Sequence, residues 1–199
     1  MSRAERRRLL ALGAAVATAI WLPAPLRAQA PFTLAQLMQT LAQVKAGEAS
    51  FTEKRVVAML ERPLESSGRL SFEAPDTFVR ETLKPRRERM AIVGNTLTMS
   101  QGSRTRSMPL DALPEAAVIL EAIRGTLTGN REALERHFSA SVSGDAQRWT
   151  LELVPREPRL REQVVSVRVT GQLAALREVT VLMADGDRSV MSIEPASPR

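Results

Sequence analysis

The sequence predicts an α+β fold in which a large, strongly curved antiparallel β-sheet of about ten or eleven strands is covered by helices around an apolar cavity. Three observations lead to this prediction. Apolar and polar residues nearly alternate over most of the chain, which is typical of half-buried antiparallel strands. Two segments, residues 33–47 and 111–138, instead repeat with helical spacing. Sheets of this size curl, and these amphipathic helices are available to cover the concave face.

Residues 1–30 have the layout of a secretory signal peptide. Four arginines within the first eight residues precede a mostly apolar run from Leu9 to Leu22, and Ala28-Gln29-Ala30 supplies the small residues of a cleavage site. A retained membrane anchor is the alternative, but the apolar run is shorter than the roughly 20 residues that a spanning helix needs. Cleavage after Ala28 and after Ala30 both fit, as do Sec and twin-arginine export. We therefore expect a mature single domain of residues 31–199 in the periplasm.

The net charge of +6 is concentrated in this leader. Residues 1–30 contain five arginines and one glutamate, a net +4, which leaves +2 for the rest of the chain. That charge is too small to predict nucleic-acid binding, and the lack of tyrosine leaves few stacking platforms for bases. Because there is no cysteine, neither a disulfide nor a lipid attached at cysteine is available, so we expect a soluble protein without an anchor. We also expect it to be a monomer.

A helix is predicted from Thr33 to Gly47. Thr33 and Gln36 form a T-x-x-Q capping box at its start, and Gly47 is the expected stop. The residues of its apolar face are Leu34, Leu37, Met38, Leu41 and Val44.

Consecutive strands with Pro or Gly between them follow this helix. Three are predicted between Glu48 and Pro85. After a basic loop, Gly94-Asn95 predicts a hairpin turn. The segment Ser103–Ser107 has polar residues on both faces, so we expect it at an edge of the sheet.

The middle of the chain changes to a helical period. Asp111 is the expected cap of a helix over residues 111–127, with Pro114 in its first turn and Gly129 at its end. Asn130 is expected to cap a short helix that reaches Phe138. From residue 140 the pattern returns to strands, with segments at 149–154, 163–170, 176–183 and 189–194.

The sequence does not favour catalysis. His137 is the only histidine, so without cysteine a zinc site would need almost all of its ligands from Asp and Glu. Neither a Ser-His-Asp grouping nor a phosphate loop is recognisable. Asp185-Gly186-Asp187 contains residue types that bind calcium, but a hairpin turn explains it more simply. We therefore expect no enzymatic activity, no metal and no cofactor.

Several segments, in this order, resemble the family of LolA-type outer-membrane lipoprotein carriers. Ala49-Ser50-Phe51-Thr52-Glu53-Lys54 is similar to the family's first strand, A-S-F-T-Q-K. Gly68 to Pro85 follows its spacing of glycine, strand, proline turn, strand and proline, and Gly94-Asn95-Thr96-Leu97 resembles its D-G-K-T-L hairpin. The central helices, Trp149-x-Leu151-x-Leu153 and the Asp185-Gly186 hairpin complete a resemblance that covers about Leu34 to Glu194.

The resemblance implies an incomplete antiparallel β-barrel with a helical lid over a hydrophobic cavity that shields lipoprotein acyl chains crossing the periplasm. It implies no cofactor and no enzymatic activity, and it implies an inner-membrane donor and an outer-membrane acceptor as partners. The sequence departs from the family at Ala74, where the family has an arginine that helps to latch the lid, and at Ser71 and Arg80, where it has tryptophans. The chain also ends soon after Glu194. These departures indicate a divergent member, whose cargo can be a lipoprotein or another lipid.

Apolar residues on the predicted strands and lid are the candidates for the cavity wall, although ordinary core packing is the alternative for each one alone. These candidates are Phe51, Leu70, Phe72, Phe78, Met90, Ile92, Leu97 and Met99 on strands, and Leu120, Ile123 and Leu127 on the lid. A second set is expected at the rim, either to meet a phosphate head group or an acidic partner or simply as a solvated turn. This set is Arg80, Arg86, Arg87 and Arg89.

The function that the sequence favours is a periplasmic carrier that binds lipid or lipoprotein acyl chains and transfers them between membranes or membrane proteins. The alternative is a lipid-responsive periplasmic sensor or scaffold for a membrane protein, because periplasmic regulators also use this fold. A hydrolase is a third alternative, which the scarcity of catalytic residue types disfavours.

Overall fold

One antiparallel sheet of eleven strands dominates the structure, a computed structural model that describes residues 31–196, with the side chains of residues 114–116 excepted. The predicted signal peptide lies outside the described residues. The strands are β1 Ala46–Val56, β2 Leu64–Glu73, β3 Thr77–Lys84, β4 Glu88–Val93, β5 Thr96–Gln101, β6 Arg104–Pro109, β7 Phe138–Gly144, β8 Trp149–Pro155, β9 Val164–Gln172, β10 Ala175–Met183 and β11 Arg188–Pro195. The helices are α1 Leu34–Leu41, α2 Pro114–Thr128, α3 Arg131–His137 and α4 Pro158–Arg161, with a 3₁₀ turn at Leu110–Ala112 before α2.

The strand order places the first and last strands together at the middle of the sheet. It reads β6-β5-β4-β3-β2-β1-β11-β10-β9-β8-β7, and every pair is antiparallel. In the β1–β11 pair, Phe51 lies opposite Ile193. The sheet is curved but not closed, since β6 and β7 are its two edges within the described chain. The predicted α+β fold with a large curved antiparallel sheet is therefore confirmed, and so is the edge position of the polar strand near Ser103–Ser107.

The caps of the first helix agree with the sequence, but its end does not. The Gln36 amide donates to Thr33 Oγ1 over 3.3 Å, and the Thr33 amide donates to Gln36 Oε1 over 2.8 Å, which completes the predicted capping box. The helix ends at Leu41, however, and Gly47 lies within β1 opposite Phe72. The pairing of β1 with β2 begins at Ala46, so the expected stop at Gly47 was wrong.

The central helices begin and end largely as predicted. Gly129 ends α2 with a left-handed φ of 64°. A Cβ at this glycine would lie 2.2 Å from the Met38 carbonyl oxygen, so the close approach of α1 to the end of α2 requires glycine here. The Asn130 side chain accepts from the Ala133 amide over 3.0 Å at the start of α3. Asp111 lies in the 3₁₀ turn, and Leu113 occupies the cap position of α2, so the predicted Asp111 cap was wrong.

The apolar core consists of two clusters. In the larger one, α1, α3 and Ala122 of α2 pack with strands β7 to β11. Leu37, Leu134 and Leu151 in this cluster are completely buried. In the smaller one, Leu120 of α2 packs on Ile92 and Leu97 of β4 and β5, together with Leu110. None of the helices within residues 31–196 combines the length and hydropathy that crossing a bilayer requires.

Candidate functional site

A cavity of about 1000 Å³ lies between α2 and the concave face of the sheet, partly open to solvent. Its wall is mostly apolar, and it is built from β1 to β5, from α2, and from the β9–β10 hairpin with β10 and β11. This volume is at the upper end of the roughly 300–1,000 Å³ that small-molecule sites occupy. The concave face is therefore only partly filled by the protein's own side chains.

The register of the strands places apolar side chains in a row across one part of the wall. Phe72 pairs with Phe78, Phe78 with Ile92, and Ile92 with Leu97. Because residues directly opposite each other in neighbouring strands point to the same face of the sheet, all four side chains share one face. The next row on this face contains Leu70, Arg80 and Met90 and is therefore partly polar.

Nine of the eleven predicted apolar residues line this cavity. They are Leu70, Phe72, Phe78, Met90, Ile92, Leu97, Leu120, Ile123 and Leu127. The two exceptions are Phe51 and Met99. Met99 is 48% exposed, because the cluster that α2 forms with β5 includes Leu97 and stops short of Met99.

Phe51 is buried in the larger core cluster and does not line the cavity. A Cβ at Gly68 would lie 2.9 Å from Phe51 Cε1, so the phenyl ring occupies the space left by this glycine. On its other side the Arg80 guanidinium lies 4.6 Å from the ring centroid, a cation–π geometry. The side chain is 2% exposed as a result, and Arg80 takes its place at the cavity surface.

The predicted rim arginines separate into two groups. Arg80 lines the cavity. Arg86, Arg87 and Arg89 are exposed at the β3–β4 connection and the start of β4, away from the cavity wall. The structure therefore does not bring these four side chains together.

A polar cluster surrounds Arg80 within the wall. Arg80 Nη2 donates to Glu53 Oε2 and, over 3.2 Å, to Ser66 Oγ. Ser66 also donates to Glu53 Oε2 over 3.1 Å, and Ser189 donates to Glu53 Oε1. The Glu53 and Arg80 side chains are 16% and 23% exposed, so the pair is largely dehydrated. We call Glu53, Ser66, Arg80 and Ser189 the polar cluster.

The environment of Glu53 keeps its carboxylate ionised. Burial alone would raise the pKa of Glu53, but the hydrogen bond from Ser189, the charge and hydrogen bond of Arg80 and the hydrogen bond from Ser66 together outweigh it. The pKa of Glu53 is consequently below its ordinary value of 4.5. A charged pair therefore lies in a mainly apolar wall.

Helix α2 is joined to the β4–β5 turn by polar contacts as well as by packing. Arg124 Nη2 donates to the Gly94 carbonyl oxygen over 2.6 Å, while its Nη1 bonds Glu121 over 2.8 Å. The Leu110 amide, just before the helix, donates to the Asn95 carbonyl oxygen over 2.9 Å. Arg124 and the Leu110 amide therefore connect α2 and its start to the β4–β5 turn.

The β9–β10 hairpin contributes residues to the cavity wall that the sequence pattern did not predict. Leu173 lies at its turn with a φ of 53° and is 51% exposed. Its carbonyl oxygen accepts a hydrogen bond of 2.8 Å from Trp149 Nε1, which holds the left-handed turn in place. A leucine in this conformation is uncommon, and no sequence pattern signals it.

Glu53 and Ser189 were also missed, but alternation could have found Glu53. It lies two residues after Phe51 in β1 and therefore on the same face. Charged residues on the inner face of a strand contradict the expected pattern, and such positions deserve a functional hypothesis.

The residues considered for catalysis lie elsewhere. His137 Nδ1 is 3.1 Å from Glu157 Oε1, at partly exposed positions outside the cavity wall. Among the residues that the structure describes, no three His, Cys, Asp or Glu side chains are grouped as a metal site would require.

Comparisons with known proteins give a family match and distant structural similarity. The family described as "Outer membrane lipoprotein carrier protein LolA-like" matches residues 27–195. Among curated proteins none matches the chain significantly.

Three solved structures illustrate the structural similarity. A LolA superfamily protein from Nitrosomonas europaea is 8% identical, with a TM-score of 0.42 over 84% of this chain and 95% of that one. The MucA/MucB complex of Pseudomonas aeruginosa gives 13% identity and a TM-score of 0.45 over 83% of this chain and 58% of that one. A lipoprotein-sorting protein domain from Vibrio parahaemolyticus gives 11% identity and a TM-score of 0.40 over 83% of this chain and 92% of that one. Identities this low do not transfer a function.

Proposed function

Because this chain belongs to the family of LolA-like outer membrane lipoprotein carrier proteins, we propose that it is a periplasmic carrier of acyl chains. In this proposal the cavity holds the acyl chains of a lipid or lipoprotein while the protein moves between an inner-membrane donor and an outer-membrane acceptor. The carrier performs no catalytic step and needs no cofactor.

The observation that supports this proposal most strongly is the size and lining of the cavity. If a methylene group takes roughly 30 Å³, the share of one water molecule in the liquid, about 1000 Å³ accommodates about thirty of them. This is enough for one long acyl chain or two shorter ones. Each buried methylene contributes about 0.8 kcal/mol, so a twelve-carbon chain offers on the order of 10 kcal/mol against the cost of association.

The way in which α2 is held supports a removable cover. Its contact with β4 and β5 is the smaller cluster, in which four residues are buried, together with the Arg124–Gly94 bond. On its other side α2 packs against α1 and α3, with Ala122 buried in the larger cluster, so opening is expected on the side that faces β4 and β5. Segments with few buried apolar contacts open more easily than the rest of a fold.

The test is native mass spectrometry of protein purified from the periplasm without detergent, followed by displacement of an uncharged naphthylamine dye by dodecyl-chain amphiphiles. We expect a co-purified acyl lipid and displacement at micromolar concentration. Ile123→Asp places a charge on the cavity side of α2 and should reduce amphiphile affinity at least about tenfold, since an unpaired charge in an apolar site is costly.

Val165→Asp is the matched control. Val165 is a β-branched residue that is 43% exposed and outside the cavity wall, so this change should leave binding as it is. Circular dichroism confirms that both variants fold. A wild-type protein without lipid and without dye displacement, or a folded Ile123→Asp variant that binds normally, would contradict the proposed function.

A further inference from the structure

The polar cluster occupies one end of the cavity wall. Glu53, Arg80 and Ser189 all line the cavity, and Ser66 supports them from the neighbouring position on β2. Ser189 pairs with Val181 of β10. Arg177, at the hairpin end of β10, lies four residues before Val181, which is about 13 Å at the rise per residue of a β-strand. The cavity therefore has a local polar site beside a long apolar wall, which is the arrangement that an amphiphile requires.

This polar site has no net charge. Glu53 and Arg80 form an ion pair, and Arg55, which also lines the cavity, pairs with Asp187 over 3.2 Å. The carboxylate of Asp187 is itself fixed by the Ala58 amide over 3.0 Å. An anionic head group placed here would meet the ionised Glu53 carboxylate in a dehydrated site, and a cationic one would meet Arg80. Both placements are unfavourable where the dielectric constant is low.

The cluster nevertheless retains hydrogen-bonding capacity. Within the described residues, Nε and Nη1 of Arg80 contact no acceptor, and Glu53 Oε1 accepts only the bond from Ser189. Guanidinium nitrogens only donate, whereas a carboxylate oxygen only accepts. The site thus offers donors and an acceptor side by side, which is the complement of a hydroxyl group or of neighbouring hydroxyl and ester groups.

We propose that the polar cluster binds the uncharged, hydroxyl-bearing head group of an acyl lipid, such as the glycerol of an acylglycerol. A head-group hydroxyl donates to Glu53 Oε1, and a hydroxyl or ester oxygen accepts from Arg80 Nε or Nη1. The acyl chain then runs along the apolar row of Phe72, Phe78 and Ile92 beneath α2. This inference rests on the proposed function and specifies the class of ligand that the same cavity takes.

The experiment compares monolauroylglycerol with laurate at pH 7.5. The two probes have the same twelve-carbon chain, so a difference in their displacement of the uncharged naphthylamine dye reports on the head group. We expect the wild-type protein to bind monolauroylglycerol roughly tenfold more tightly, the size of a retained hydrogen bond to a charged group.

Charge variants of the pair should change this ratio in opposite directions. Glu53→Gln leaves the Arg80 cation uncompensated, so the preference should reverse in favour of laurate. Arg80→Gln leaves the Glu53 anion uncompensated and should weaken laurate binding further. Glu53→Gln/Arg80→Gln restores neutrality and should restore a preference for monolauroylglycerol. Arg69→Gln, which removes an exposed arginine of β2 outside the cavity wall, is the control and should leave the ratio unchanged.

The outcomes separate this inference from the proposed function. If both amphiphiles bind equally or laurate binds better, the head-group assignment is wrong while acyl binding stands. The assignment is also wrong if the ratio does not respond to Glu53→Gln. If neither amphiphile displaces the dye, the proposed function fails and this inference fails with it. Thermal unfolding of each variant, together with binding of the dye itself, shows that the cavity is intact.

Discussion

Removing the guanidinium of Arg124 should loosen helix α2 from the sheet. Arg124→Met keeps an unbranched side chain of similar length but cannot bond the Gly94 carbonyl oxygen, which the guanidinium contacts at 2.6 Å. The Arg124 side chain is 24% exposed, so this charge-assisted bond is only partly screened. Such bonds contribute about 1.5 to 3 kcal/mol, which corresponds to roughly a 10- to 150-fold increase in the open population of α2.

Hydrogen exchange followed by mass spectrometry measures this change directly. We expect the amides of residues 117–128 in α2 to exchange at least about tenfold faster in Arg124→Met, while β8 and β9 in the larger cluster keep their protection. Dissociation of a bound dodecyl amphiphile should become faster by a similar factor if opening of α2 controls release. The control is Arg131→Met, which removes an exposed i,i+4 pair with Glu135 in α3 and should change exchange in α2 little.

The result that would refute this reasoning is unchanged exchange in α2 of a folded Arg124→Met variant. The apolar contacts of α2 in both clusters would then hold the helix, and the contact with Gly94 would have no role in opening. A uniform loss of protection over the whole sheet would instead show that Arg124 supports global stability rather than the cover.

Three further predictions concern the wall and the sheet that carries it. The pKa of folded Glu53 is below its ordinary value of 4.5, so the stabilisation from this carboxylate is present above about pH 4.5 and is lost as the pH falls through the folded-state pKa. The difference in melting temperature between wild type and Glu53→Gln should therefore shrink as the pH is lowered below about 4.5. Gly68→Ala should lower the free energy of unfolding in urea by about 3 kcal/mol, because its Cβ would lie 1.9 Å from the Glu81 carbonyl oxygen. Gly47→Ala, where the added Cβ meets open space, should lower it by less than about 1 kcal/mol. Met90→Ala should weaken dodecyl binding by roughly fivefold, and Met99→Ala should leave it unchanged, since only Met90 lines the cavity.

Alternation and capping signals were sufficient to predict most of the fold. The strands around Phe72, Phe78 and Ile92 follow a period of two, which is a local property of the sequence and survives in the structure. Thr33 with Gln36 marked the start of α1 for the same reason. Helix α4 at Pro158–Arg161 has four residues and is too short to produce a periodic signal, so it was missed.

The candidate site was predictable only in part because it depends on pairing between distant strands. Phe51 alternates like its neighbours, but whether its ring faces the cavity depends on Gly68 opposite it and on Arg80 above it. The polar cluster joins Glu53 to Ser189, which are 136 positions apart in the chain. Contacts of this kind follow from the strand register, which the local pattern does not contain.

The central claim is that an acyl chain occupies the cavity, and NMR of isoleucine methyl groups tests it most directly. All four isoleucines among residues 31–196, namely Ile92, Ile119, Ile123 and Ile193, line the cavity. With a bound dodecyl-chain amphiphile, we predict nuclear Overhauser contacts from the chain to these isoleucine methyls and none to the methyls of Val165 on the outer surface. Contacts to Val165 without any to the isoleucines would place the chain outside the cavity and contradict the account.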